Sequence, residues 1–141
     1  MIYDTVDIKM MDVEGTSDVF LRAFFDSKEQ TKETDTHFRC SDGNASFNYR
    51  LLFNVKHPRR DYSLSIQAYD RDFFKSNDII GEAIIDLSNL FEDSAMTGKP
   101  LDLDKRYFND YLKPKGVKYN FKDDKSFWVN IIGIDDKGEP K

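Results

Sequence analysis

The nine residues Asp70-Arg71-Asp72-Phe73-Phe74-Lys75-Ser76-Asn77-Asp78 carry three carboxylates close enough in sequence to meet in space. At about 5 Å and an effective dielectric of ~20, each such pair repels by roughly 3 kcal/mol, so a fold that gathers them usually gathers a cation as well. The run before them, Ser63-Leu64-Ser65-Ile66-Gln67-Ala68-Tyr69, alternates polar and apolar, which predicts a strand with Leu64, Ile66 and Ala68 on its buried face. Asp70 and Asp72 then share one side of an extended backbone, and the excursion to Asp78 returns a third carboxylate to the same point. An all-oxygen set of this kind suits calcium, which accepts a larger and less regular shell than the tight octahedron magnesium demands.

A second acidic stretch, Asp12-Val13-Glu14-Gly15-Thr16-Ser17-Asp18, sets two Asp six positions apart, the spacing that also separates Asp72 from Asp78. Either stretch alone reads equally well as a solvated turn, with Gly15 free to take positive φ. Two acidic loops with one internal spacing favour a site. The basic run Lys56-His57-Pro58-Arg59-Arg60 is either an exposed connection or, through Lys56, Arg59 and Arg60, a secondary contact for acidic headgroups. His37 and His57 have no metal-ligand partner at a useful spacing. Cys40 is the single cysteine, which excludes an intrachain disulfide, and no nucleophile motif surrounds it.

These loops need elements to hold them. A length of 141 residues predicts one domain over 1–141, and 39 % apolar with 14 % aromatic residues describes a β-leaning globular chain. A net charge of −5 argues against nucleic acid as the main partner. No basic-flanked apolar leader opens the chain, and no apolar run approaches the ~20 residues of a membrane span, so a membrane would be met from its surface. Strands are predicted over 3–11, 19–25, 34–39, 46–55, 63–69, 79–87 and 127–134, with an eighth from 117–121 or lacking at the end. Ser41-Asp42-Gly43-Asn44 is a turn, Ser88 is expected to cap a short helix over 89–93, and a helical turn near 105–112 ends before Pro114. The class is all-β, an antiparallel β-sandwich of seven or eight strands.

At this point the residues resemble a known family, the C2 domain, an eight-stranded calcium- and lipid-binding β-sandwich. Asp12 to Asp18 matches the family's first calcium-binding loop. Tyr69 followed by Asp70-Arg71-Asp72, then Asn77-Asp78-Ile79-Ile80-Gly81, matches its third. The resemblance implies Ca2+ held by five carboxylates, Asp12, Asp18, Asp70, Asp72 and Asp78, with backbone carbonyls of Met11 and Arg71 as further ligands. A narrower similarity, to ferlins, rests on Lys32-Glu33-Thr34-Asp35-Thr36-His37-Phe38-Arg39, on Ser46-Phe47-Asn48-Tyr49-Arg50, and on the long, partly helical insertion before Phe127-Trp128-Val129. Val19-Phe20 departs from the Pro-Tyr of many members. Because a strand precedes the first acidic loop, the chain resembles the permuted type II topology, and it reads as a fragment of a larger multidomain protein.

The function so implied is calcium-dependent binding of anionic phospholipid membranes, as a membrane-targeting or vesicle-fusion and trafficking module. It would be cytoplasmic, peripheral at the cytosolic membrane face, in a parent protein that is membrane-anchored. Val13, Phe73 and Phe74 fall between the ligand residues and are expected to contact the membrane, and other proteins of a fusion or trafficking machinery are expected partners. The alternative is a calcium-independent protein–protein interaction module, favoured where ligand Asp are lost; here none is. An enzyme is not expected. Asp70-x-Asp72 is similar to a phosphatase nucleophile motif, but Phe74 occupies its last place and no parallel βαβ alternation follows. An EF-hand fails because Lys75 and Gly81 stand where that loop needs Gly and Glu.

Overall fold

The computed structural model describes residues 1–6, 17–26, 30–72 and 76–134. Within them the chain forms ten short strands and a helical insertion: β1 (Ile2–Thr5), β2 (Ser17–Phe24), β3 (Thr31–Glu33), β4 (His37–Cys40), β5 (Ala45–Tyr49), β6 (Ser63–Asp70), β7 (Asp78–Asp86), α1 (Ser88–Thr97), β8 (Asn120–Phe121), β9 (Phe127–Trp128) and β10 (Ile132–Gly133). The main sheet has the order β10-β7-β6-β2-β3, with β4 also on β2, and every pairing is antiparallel. β1 and β5 make a second, two-stranded sheet. The expected antiparallel all-β class is therefore present, with the strands divided more finely than the sequence suggested.

Alternation along β2 and β6 builds the core. Val19, Leu21 and Ala68 face Cys40, Ala45 and Phe47 from β4 and β5, with Ile80 from β7, and Ile2, Ile66 and Ile131 close the margin. The other face of β2 is also covered: Phe20 is fully buried under the guanidinium groups of Arg71 and Arg22, at 4.1 and 5.9 Å from its ring centre, and stacks on Tyr69.

Three boundaries differ from expectation for local reasons. The strand over 34–39 is split because buried Thr34 caps β2 with its side chain, its hydroxyl accepting from Leu21 N–H at 3.0 Å, so that β3 and β4 follow one another along the same edge of β2. The strand over 46–55 ends at Tyr49, one residue after Asn48 takes φ 48° at a bulge opposite β1. Ser88 does not cap its helix: its N–H and hydroxyl both turn back to the Asp86 carboxylate, while α1 runs on to Thr97 and stops at left-handed Gly98.

Gly81 lies under β10, where a Cβ would meet Ile131 Cγ2 at 2.5 Å and the Ile132 carbonyl oxygen at 2.6 Å. Backbone cannot give way as a side-chain tip can. Gly81→Ala is expected to cost about 2 kcal/mol in urea unfolding and to expose amide exchange in 132–134 first.

The insertion after β7 packs on itself. Tyr107, Phe108 and Leu112, from a helical run over 105–115, are buried against Leu90, Leu101, Leu103, Val117, Tyr119 and Phe121, and β8 pairs with β9 beside them. Burial pushes the Tyr107 hydroxyl above the usual phenol range, and the Asp93 carboxylate to which it donates adds to the push. Among the described residues no helix is long and apolar enough to cross a membrane.

Candidate metal centre

Strand direction decides which connections meet. β6 ends at Asp70, β7 begins at Asp78, β2 begins at Ser17, β4 ends at Cys40, and pairing joins Ser17 to Cys40, Val19 to Asp70 and Asp70 to Asp78. The β1–β2, β4–β5 and β6–β7 connections therefore leave the sandwich at one end. Asp18, Asp70, Arg71, Asp72 and Asp78 are all brought there. Asp12, Met11, Val13, Phe73 and Phe74 lie outside the described residues.

Backbone hydrogen bonds brace the two acidic segments. Asp18 N–H donates to Asp70 Oδ1 at 2.9 Å, and Arg71 N–H returns to the Asp18 carbonyl at 2.8 Å. Asp18 Oδ1 also accepts from Arg39 N–H at 2.9 Å. Past the strand, Asp72 N–H donates to Asn77 Oδ1 at 2.8 Å, which ties together the two ends of the excursion. Asp70 is only 4 % exposed and stands directly across from Asp78. Like charges placed opposite one another on neighbouring strands are destabilising, and such an arrangement of hard oxygen donors fits a divalent cation. Among the described residues no three His, Cys, Asp or Glu side chains converge on one point.

Arg71 keeps its own charge away from this end. Its Nε donates to Thr36 Oγ1 at 2.8 Å, a terminal nitrogen lies 3.6 Å from Glu33, and the guanidinium covers Phe20. This clamp had no signal in the linear sequence, since Thr36 is 35 residues away. Arg71→Ala removes the Thr36 bond and the ring contact, so a loss of about 1–2 kcal/mol is expected in chemical unfolding, with little from the half-exposed Glu33 pair.

Sequence reading also missed the β4–β5 turn, Ser41-Asp42-Gly43-Asn44, as a member of this end. It is closed by Asn44 N–H donating to Asp42 Oδ1 at 2.9 Å with Gly43 at φ 78°. The basic run lies elsewhere. Lys56 and Arg60 are exposed in the connection that enters β6 at Ser63, the far end of that strand, roughly 23 Å from Asp70 at 3.3 Å per residue. Arg59 is half-buried there, its N–H donating to Tyr62 Oη at 3.1 Å.

A two-layer antiparallel β fold with carboxylates gathered at one end defines the class, and a C2 domain family model matches residues 1–103. The chain belongs to the C2 domain family. Its curated relatives include ferlins. Ferlin 2 of Tetrahymena thermophila is 36 % identical over 95 residues, covering 62 % of this chain and 6 % of that protein. Ferlin 1 of Toxoplasma gondii is 35 % identical over 81 residues, covering 55 % and 6 %. The sperm vesicle fusion protein fer-1 of Caenorhabditis elegans is 26 % identical over 134 residues, covering 80 % and 6 %. The chain thus spans 6 % of the length of each of these relatives. Among solved structures, a C2 domain of plant extended synaptotagmin 1 superposes with a TM-score of 0.53 at 20 % identity, over 62 % of this chain and 65 % of that one. A human GIVD cytosolic phospholipase A2 matches with a TM-score of 0.53 at 16 % identity over 62 % of this chain and 11 % of that one. Both likenesses concern the fold alone.

Proposed function

We propose that this chain binds anionic phospholipid membranes in response to calcium, as a membrane-targeting or vesicle-fusion module of a longer protein. The observation that carries the reading is the pair Asp70 and Asp78, opposed across β6 and β7 with Asp18 hydrogen-bonded alongside. Asp12, Asp18, Asp70, Asp72 and Asp78, with the carbonyls of Met11 and Arg71, would hold the ions. Calcium bound there would supply positive charge that attracts lipid phosphate or carboxylate oxygens. The protein's own part is to hold that end in shape: Asp18 braces Asp70, Asn77 restrains Asp72, and Arg71 directs its cation onto Phe20.

Val13, Phe73 and Phe74 belong to the same two connections and supply apolar contact; burying one ring contributes about 2 kcal/mol. The name of the Caenorhabditis elegans relative, a sperm vesicle fusion protein, supports a fusion or trafficking context. Within the proposed reading the chain works at the cytosolic membrane face of a membrane-anchored parent, with other fusion proteins as partners and no catalytic role. Lys56, Arg59 and Arg60 fall outside this surface, so Lys56→Ala with Arg60→Ala is expected to leave vesicle binding unchanged.

The test is sedimentation with vesicles containing phosphatidylserine, in calcium, in magnesium and in chelator. Binding in calcium alone is expected. Equal binding in all three conditions would overturn the calcium switch, and no binding by a folded chain would favour a calcium-independent protein-interaction module.

A further inference from the structure

We infer that Phe38 and Arg39, at the end of β4, form a further contact for an anionic bilayer beside the acidic loops. The inference rests on the membrane-binding reading above and adds an element to it. β4 runs toward the acidic end, so the pair lies level with Ser17 and Asp18. Phe38 is 58 % exposed, an uncommon state for a Phe within a strand paired to a central one.

Arg39, the next residue, has a constrained backbone. It adopts φ 53°, a left-handed conformation that non-glycine residues rarely take and that persists only where surroundings impose it. What imposes it is Asp18, whose carboxylate accepts the Arg39 N–H. The Arg39 side chain is exposed and, among the described residues, makes no ion pair, although carboxylates lie close by. An exposed aromatic ring next to an uncommitted guanidinium matches the two layers of an anionic bilayer surface, apolar chains below and phosphates above. A protein partner would have to offer the same pair of features, and it becomes an outcome of the test. Because Asp18 is both a proposed calcium ligand and the acceptor for Arg39, the contact is tied to the state of the ion site.

Phe38→Trp provides a direct readout. With calcium and phosphatidylserine vesicles its emission should shift to the blue, relative to the wild-type signal of Trp128, and be quenched by brominated acyl chains. Phe38→Ala should weaken vesicle binding about tenfold. Arg39→Asn keeps a residue tolerant of the left-handed backbone and removes the charge; it should bind calcium in solution at least as tightly as wild type yet bind vesicles several-fold more weakly. Thermal melts check that each variant is folded. An unshifted Trp emission on vesicles that do bind, or wild-type vesicle affinity in both truncated variants, would overturn the inference. Loss of affinity without bilayer quenching would show that the pair acts from outside the bilayer and would overturn it too, while unchanged vesicle affinity in both truncated variants would leave the surface to a protein partner. Failure of the wild type itself to respond to calcium would instead sink the underlying reading, and this one with it.

Discussion

Asp72→Asn is expected to abolish calcium-dependent vesicle binding while leaving the fold intact. The substitution changes charge without changing shape, and the hydrogen bond that secures the segment comes from the Asp72 backbone N–H to Asn77, which Asn preserves. Removing one unit charge about 5 Å from another at an effective dielectric of ~20 is worth roughly 3 kcal/mol, and more toward a doubly charged ion, so calcium affinity should fall at least about a hundredfold. Isothermal titration with calcium reads the loss directly. A companion variant separates ligand from bystander. Asp78 opposes Asp70 on the neighbouring strand, so Asp78→Asn relieves a like-charge pair and should raise stability in chelator by about 1 kcal/mol while lowering it in calcium. A variant that loses stability equally in both conditions would show that Asp78 serves the fold and not an ion.

The acidic stretches were legible because their signal is local. An alternating strand ending in Asp70, with carboxylates two and eight positions on, states both the element and the direction in which it delivers its charges. The bracing was not legible. Asp18 N–H reaches Asp70 across 52 residues, and the Arg71 clamp reaches Phe20 on β2, Glu33 on β3 and Thr36 beyond it, so neither exists until register is set. The position of the basic run was recoverable from strand order alone: in an antiparallel sandwich successive connections alternate ends, and the connection before β6 must leave from the opposite side to the one after it. The same parity puts the Ser41–Asn44 turn with the acidic loops. Helix and strand limits failed where one side chain competed with the backbone, as Thr34 does for β2 and Asp86 for Ser88.

Phe108→Ala should unfold the insertion without silencing the ion site. Phe108 is packed between the rings of Tyr119 and Phe121, at 5.8 and 5.4 Å, in a cluster that shares no residue with the core beneath β2, β6 and β7. Truncating a buried Phe costs about 3–5 kcal/mol, more than so small a cluster can lose and remain closed. The insertion joins the sandwich through α1, whose Phe91 stacks on Tyr62, and through Tyr119 Oη donating to the Asp86 carbonyl at 3.3 Å. Those contacts lie at the far end of β7, roughly 26 Å from Asp78 along the strand. Amide exchange should therefore lose protection over 88–128 and keep it in β2 and β6, and calcium-dependent sedimentation should be retained. Lost vesicle binding by a variant with a protected sheet would mean that the acidic end is not sufficient, and that the insertion carries part of the membrane contact itself.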